Sequence, residues 1–302
     1  MKQTLFIAVL VIITLLVGTY VAYLHFFFDS PQTAETLVEP VVADDDHGIK
    51  VVRAEGTVER LRGESGWLQV SSGDRIAVAD AVRTADDSRA ELEVGDGSRI
   101  FLENASELLV RRADNKETRF RLRRGRLRAN KRRSGKTLHI EAPDTDATVS
   151  SDEGSFTVST DGLGTLAVAT TAGNAKLKTK NAEKTIGEGQ QSVALPDGSV
   201  TATVPIPKSL LLKIGKLPTG VRRKRNLVLK GRTEVGATVT INGVRAKVDR
   251  KGRFRTRVRL REGNNELAVV ARGVSGLTRE MKLDPIEVDS RAPSSKIDAR
   301  WE

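Results

Sequence analysis

Two hydrophobic patterns divide the chain. Residues 5–28, LFIAVLVIITLLVGTYVAYLHFFF, form one unbroken apolar run. At about 1.5 Å rise per residue, roughly 20 such residues cross a hydrocarbon core of about 30 Å, so the run predicts a single transmembrane helix. Beyond about residue 50 the pattern changes to period two. Strand-like alternation runs through IKVVRAEGTVERL, RAELEVGDGSRIFL, TRFRLRRGRLRA, TLHIEA, GSFTVST, GTLAVATTAGNAKLKTK and GQQSVAL, each bounded by Gly, Asp, Asn, Pro or Ser. With no convincing amphipathic helix between them, these segments predict a sandwich, a roll or a short β-solenoid rather than an α/β sheet. Pro205, Pro207 and Pro218 interrupt the alternation, which then resumes from 227 to 288.

The expected architecture is all-β with one N-terminal transmembrane helix. It comprises a cytosolic stub (1–4), the helix (5–28), an acidic flexible spacer (29–48), a first β domain (49–204), a linker (205–226), a β-sandwich (227–288) and a tail (289–302). Lys2 precedes the helix, whereas the spacer holds Asp29, Glu35, Glu39 and Asp44 to Asp46 with no Lys or Arg. The positive-inside rule then places the N-terminus in the cytosol and the bulk of the chain outside. The competing reading is a cleaved signal peptide, whose apolar core is usually only about 7–15 residues long and ends in small residues. Here the run ends in Tyr20, Tyr23 and Phe26 to Phe28, which suit a membrane interface better.

Composition sharpens this picture at three points. Aromatic residues are only 4% of the chain and four of the eight Phe sit in the apolar run, so the cores must rest on Val, Leu, Ile and Ala. There is no Cys, which leaves burial alone to hold the folds and excludes a lipid-modified cysteine anchor. The net charge is +11, yet the spacer is acidic, so the basic excess lies in the β regions. Beyond a cytoplasmic membrane, such charge favours anionic headgroups or envelope polymers over nucleic acid.

The sharpest cluster is Arg119, Arg121, Arg123, Arg124, Arg126 and Arg128, alternating with Phe120, Leu122, Leu127 and Ala129. A hairpin about Gly125 is expected to gather most of these arginines into a cationic stripe for ligand or partner contact; the alternative is a solvated, edge-protecting face. Arg222, Arg223, Lys224 and Arg225 form a weaker version that reads as a charged linker. His25, His47 and His139 share no spacing that suggests a metal or a nucleophile, and no GxSxG, HExxH or phosphate-binding glycine loop is present. Asp44-Asp45-Asp46-His47 reads as solvated charge in the spacer. No enzyme, cofactor or metal site is expected.

The first β region resembles a FecR-type periplasmic domain over about residues 50–195. The likeness rests on Gly56, Val58, Trp67, Gly73-Asp74, Val82, Thr84, Ser88, Ala90, Leu92 and Asp96-Gly97-Ser98, then Leu122, Gly125, Leu127, Ala142-Pro143, Phe156 and Val158. Asp96-Gly97 reads as a type I′ hairpin turn, and Trp67 as a large contribution to the core. The residues before Phe156, Asp152 to Ser155, depart from the family's Arg-Gly-Thr step. Residues 227–288 resemble a bacterial Ig-like module, with turns at Asn242-Gly243, Arg250-Lys251-Gly252 and Glu262-Gly263-Asn264. The resemblance therefore implies a FecR-like β-roll or short β-solenoid followed by an Ig-like β-sandwich.

FecR-family founders are inner-membrane regulators whose cytosolic region contacts a sigma factor. With four residues before the helix, that region is expected to be missing and the sensing or protein-contact half to remain. The expected function is non-catalytic sensing or signal relay in the bacterial periplasm, anchored in the cytoplasmic membrane and acting on a periplasmic or membrane protein. The alternative is a structural envelope protein whose basic β surface binds peptidoglycan, lipopolysaccharide or another anionic polymer.

Overall fold

The computed structural model describes residues 48–218 and 220–291. The expected transmembrane helix, the spacer through residue 47 and the tail from residue 292 lie outside the described residues. Among the described residues every regular element is a strand, and no helix is long and apolar enough to cross a membrane.

The first module builds two sheets that share one strand. Its early strands are β1 (Ile49–Glu55), β2 (Val58–Leu61), β3 (Trp67–Gln69), β4 (Arg75–Ile76), β5 (Ala81–Thr84), β6 (Arg89–Glu93), β7 (Arg99–Leu102) and β8 (Glu107–Ala113). The long β9 (Glu117–Lys131) follows, then β10 (Thr137–Glu141), β11 (Thr148–Ser151), β12 (Gly154–Thr160) and β13 (Leu166–Gly173). The last four are β14 (Ala175–Lys178), β15 (Glu183–Ile186), β16 (Gln190–Ala194) and β17 (Val204–Pro205).

Sheet I runs β4-β1-β6-β7-β9-β12-β13-β16-β17. Sheet II runs β3-β2-β5-β8-β9-β10-β11-β14-β15. All pairings are antiparallel except β9 with β10. A solenoid stacks its coils in parallel, so these ladders build a roll of two layers instead.

Alternation puts one side of each strand between the layers. Leu92, Ile100, Phe120, Leu127, Ile140, Val149, Phe156 and Val168 all lie there, fully buried in one cluster. Each such side chain contributes about 1.5–3 kcal/mol on leaving water. Trp67 does not join them: it is half-buried on β3, with the Arg83 guanidinium 4.1 Å from its ring centroid. The expected core role of Trp67 is thus replaced by a surface cation–π contact, because β3 is an edge strand with its other residues exposed.

The turn at Asp96-Gly97 also differs from expectation. Gly97 has φ +76° while Asp96 does not enter the left-handed region, and Gly97 N–H donates to Val94 O at 2.7 Å. This is a longer loop in which only the glycine position needs positive φ. At Asn242-Gly243, by contrast, both residues have positive φ, 46° and 81°, as a type I′ hairpin requires.

The second module is smaller. Sheet III consists of β18 (Leu212–Ile214), β19 (Asn226–Thr233) and β22 (Arg253–Arg259), in the order β18-β19-β22. Sheet IV is ordered β21-β20-β24-β25, from β20 (Thr238–Ile241), β21 (Val244–Ala246), β24 (Ala268–Arg272) and β25 (Thr278–Lys282). A third pair joins β23 (Gly263–Asn265) to β26 (Ile286–Val288). The expected turn at Glu262-Gly263-Asn264 therefore overlaps a short strand. Leu227, Leu229 and Phe254 from sheet III meet Val239, Ile241 and Val269 from sheet IV in one core. β18 lies within the stretch read as a linker, and Leu210 and Leu212 are buried in this second core.

The modules meet across the outer face of sheet I. Ala167, Ala169 and Val193 of that face pack against Val274, with Val235 beside them. Gly236, at φ +79°, approaches so closely that a Cβ there would lie 2.8 Å from the Val193 side chain.

Candidate functional site

The six candidate arginines do not form a hairpin. Gly125 lies inside the continuous strand β9, and the parity of the sequence explains why no turn is needed. Phe120 and Leu122 point inward at even positions, Leu127 and Ala129 at odd ones. One extra residue must be absorbed between them. A β-bulge does this: Leu108 pairs with Leu122 but Glu107 pairs with Arg124, leaving Arg123 and Arg124 both exposed. Before the bulge β9 pairs with β8 and β10 in sheet II; after it, with β7 and β12 in sheet I. Gly125 has φ +90°, and a Cβ there would come within 2.6 Å of the Ser106 Cα.

The bulge splits the stripe into two environments. Arg119, Arg121, Arg123 and Arg124 lie on the outer face of sheet II, opposite carboxylates. Arg119 bonds Glu141 at 2.9 Å and Glu117 at 3.0 Å, Arg121 bonds Glu141 at 3.1 Å, and Arg123 bonds Glu107 at 2.9 Å. Arg124 is 3.6 Å from the other Glu107 oxygen. Burial pushes the Glu141 carboxyl up, but hydrogen bonds from Arg119 and Arg121 bring it below its ordinary value. The Arg119 hydrogen bond does the same for Glu117, and Arg119 itself is raised by Glu117 and then Glu141. Exposed pairs of this kind contribute about 0–1 kcal/mol each, but they leave little free positive charge on this face.

His139 sits in the same neighbourhood, with Nε2 3.3 Å from Glu117. Burial, then Arg119, lowers its pKa and outweighs the pull of Glu117, which favours the neutral ring. Among the described residues no group of three or more His, Asp or Glu is gathered to hold a metal ion.

Arg126 and Arg128 lie on the other side of the bulge, on the outer face of sheet I. Arg126 is 4% exposed because the second module covers it. Its Nη2 donates to Gly273 O in the second module, and its Nη1 is 3.5 Å from Glu103. Its backbone N–H donates to Ser106 Oγ at 2.9 Å, and that hydroxyl returns a bond to Arg126 O at 3.1 Å. Burial lowers the Arg126 pKa to about 10, which still leaves it charged at neutral pH. Arg272 of the second module reaches back to Asn104 Oδ1 at 2.6 Å and Glu103 at 3.4 Å. Arg128 stacks over Phe101, 4.6 Å from the ring centroid.

Two clefts flank this junction. One, of about 590 Å³, is lined by Arg128, Phe101, Glu103, Arg89 and Arg53 of the first module with Arg272 and Thr278 of the second. The other, of about 700 Å³, lies between Leu163, Leu195 and Asp161 on one side and Val235, Val248 and Arg245 on the other. The arrangement can hold a side chain or a short polar segment between modules.

Sequence reasoning gathers the six arginines, but the structure brings together only Arg126 and Arg128 at the junction. It misses Arg272, Glu103 and Asn104, for which no local pattern speaks. It also misses a second alternation, Arg253-Phe254-Arg255-Thr256-Arg257-Val258-Arg259, whose signal equals that of β9.

Comparison with known proteins adds one relationship. Residues 80–176 match the FecR protein family. The match spans about a third of the chain and runs from just before β5 into β14, so it contains β9, its bulge and all six arginines. No curated protein matches. A crystal structure of a candidate anti-sigma factor from Parabacteroides distasonis is 14% identical, with a TM-score of 0.37 over 41% of this chain and 59% of that one. A polysaccharide lyase is 10% identical, with a TM-score of 0.20 over 84% of this chain and 41% of that one. The chain thus spans less than two thirds of the length of either structure, and similarity at this level carries neither topology nor role across.

Proposed function

We propose that the chain is a membrane-anchored, periplasmic FecR-like protein that senses or relays a signal through contacts with another protein, without catalysis. Its anchor is the apolar run at 5–28 in the bacterial cytoplasmic membrane, and the distal module, with its Ig-like sequence pattern, extends the contact surface. The observation that carries this reading is the FecR match over residues 80–176, the segment that holds β9 and one wall of the 590 Å³ cleft. A polymer-binding role for Arg119 to Arg124 is the weaker reading, since Glu107, Glu117 and Glu141 already pair with those arginines.

A photo-crosslinking residue at Thr278, in the cleft wall, tests the proposal in cells. The expected product is one discrete adduct with an envelope protein whose deletion changes the same transcripts as deletion of this chain. Adducts with glycan strands alone, or a deletion that leaves transcription unchanged, would sink it. If the polymer reading holds instead, Arg121→Glu with Arg123→Glu abolishes retention on isolated envelope polymer, and so does added salt.

A further inference from the structure

A second positive surface lies on the second module, away from the candidate stripe. β22 turns Phe254 and Val258 toward the core and exposes Arg253, Arg255, Arg257 and Arg259. Antiparallel pairing sets Arg253 beside Arg232 of β19 and Arg255 beside Lys230. On the other flank Lys213 of β18 pairs with Arg232. The three strands carry no Asp or Glu. Among the described residues, Arg253 alone of these side chains has an acidic partner, Asp249 at 2.8 Å. With strands about 4.8 Å apart and same-face residues about 6.8 Å apart along each, the cations form a two-strand array that widens to three strands at the Lys213–Arg232–Arg253 row.

Edge protection explains part of this but not all. Charged residues on β18 and β22, both edge strands, discourage pairing with another chain. Lys230 and Arg232, however, belong to the central strand, which has no free edge to protect. Like charges directly opposite one another also oppose sheet formation. On β9 the fold answers its arginines with Glu107, Glu117 and Glu141; here it supplies almost nothing.

We propose that the outer face of sheet III docks on an anionic phospholipid surface. Its charges spread across neighbouring strands as well as along them, which suits a layer of phosphate headgroups better than a single thread of polymer. No aromatic residue lies on the face, so it offers neither a stacking platform for bases nor one for sugar rings. Val228, 40% exposed and opposite Arg257, adds a small apolar contact at headgroup depth. Each basic residue near such a surface favours docking by a factor of about five. The inference stands apart from the signalling proposal, because it uses no residue of the junction.

The full chain tests it without interference from native thiols, since the sequence has no Cys. Val228→Cys carries an environment-sensitive dye on the face, and Val244→Cys, 69% exposed on β21 of sheet IV, carries the control. Both are placed in vesicles of phosphatidylcholine alone or mixed about three to one with phosphatidylglycerol. The dye at 228 is expected to shift to the blue and to be quenched by headgroup spin labels only in the mixed vesicles, and to revert with added salt. Arg255→Gln with Arg257→Gln should lower the docked-to-free ratio about 30-fold, and Lys230→Gln about 5-fold. An equal response in pure phosphatidylcholine, an equal response at 244, or a response at 228 to heparin or duplex DNA but not to vesicles overturns the proposal. Unchanged docking in the glutamine variants does so too.

Discussion

At the scale of single residues, Asp96 and Lys131 tie the loop between β6 and β7 to the end of β9. Their side chains are 3% and 2% exposed and meet at 2.9 Å, with Ser134 Oγ and the Ser98 N–H completing the carboxylate shell. Burial pushes the Asp96 carboxyl up, but hydrogen bonds from Lys131, Ser98 and Ser134 win and hold it at about 2. A carboxyl whose folded pKa is depressed stabilises the fold fully above its ordinary value of 3.8, and that stabilisation disappears as pH falls toward about 2. The difference corresponds to about 2 kcal/mol. Asp96→Asn is therefore expected to cost about 2–4 kcal/mol at pH 7, because it also strands the buried Lys131 ammonium. Urea titrations of both proteins at pH 7 and at pH 2.5 check this: the gap between them should shrink on acidification. An unchanged gap would mean that the pair is not the source of the stability.

At the scale of the element, β9 shows what was legible in the sequence and what was not. The period-two alternation of its apolar residues announced a strand, and the parity change between Leu122 and Leu127 announced an interruption. A turn and a bulge both shift parity by one, so the sequence alone did not choose between them. The choice depends on Ser106, twenty residues away, whose main chain closes against Gly125 and whose hydroxyl bonds both polar groups of Arg126. Partners distant in sequence decided the arginines as well: Glu107 and Glu141 come from the neighbouring strands β8 and β10. Trp67 failed as a core prediction for a related reason, since size signals burial only when the strand beneath it is covered on that side. Gly125→Ala tests the bulge. Positive φ and contact with the Ser106 backbone together should cost about 3 kcal/mol in thermal unfolding. Gly135→Ala, also at positive φ (+74°) but with nothing within 4 Å of the added methyl, should cost only about 1 kcal/mol. Equal losses would refute the close approach.

At the scale of the whole molecule, the bulge in β9 makes the two modules depend on each other. By shifting parity it turns Arg126 from the solvent-facing, carboxylate-paired side of sheet II onto the face of sheet I that the second module covers. There the guanidinium satisfies Gly273 O, while Arg272 returns the contact through Asn104 and Glu103. The apolar part of the junction is modest, four buried side chains led by Val193 and Val274 with Leu195, Ile206 and Val235 partly buried against them, so the polar clamp adds to the coupling. Interfaces between modules of one chain move unless they are large and apolar, which makes this clamp the element that decides whether the two clefts keep their shape. Arg126→Ala removes the charged hydrogen bond to Gly273 O and leaves Glu103 with Arg272 alone, a loss of about 2 kcal/mol from the hydrogen bond that relief of the buried guanidinium partly offsets. With Trp301 replaced by Phe, Trp67 is the single tryptophan and reports on the first module, and a dye on Val244→Cys reports on the second. In the parent chain both signals should change at one urea concentration. In Arg126→Ala the dye transition should move to lower urea and separate from the tryptophan transition, whereas Arg123→Ala, on the paired face of sheet II, should leave the two together. Coincident transitions at an unshifted midpoint in Arg126→Ala would show that the apolar patch alone joins the modules, and that the bulge serves only the first of them.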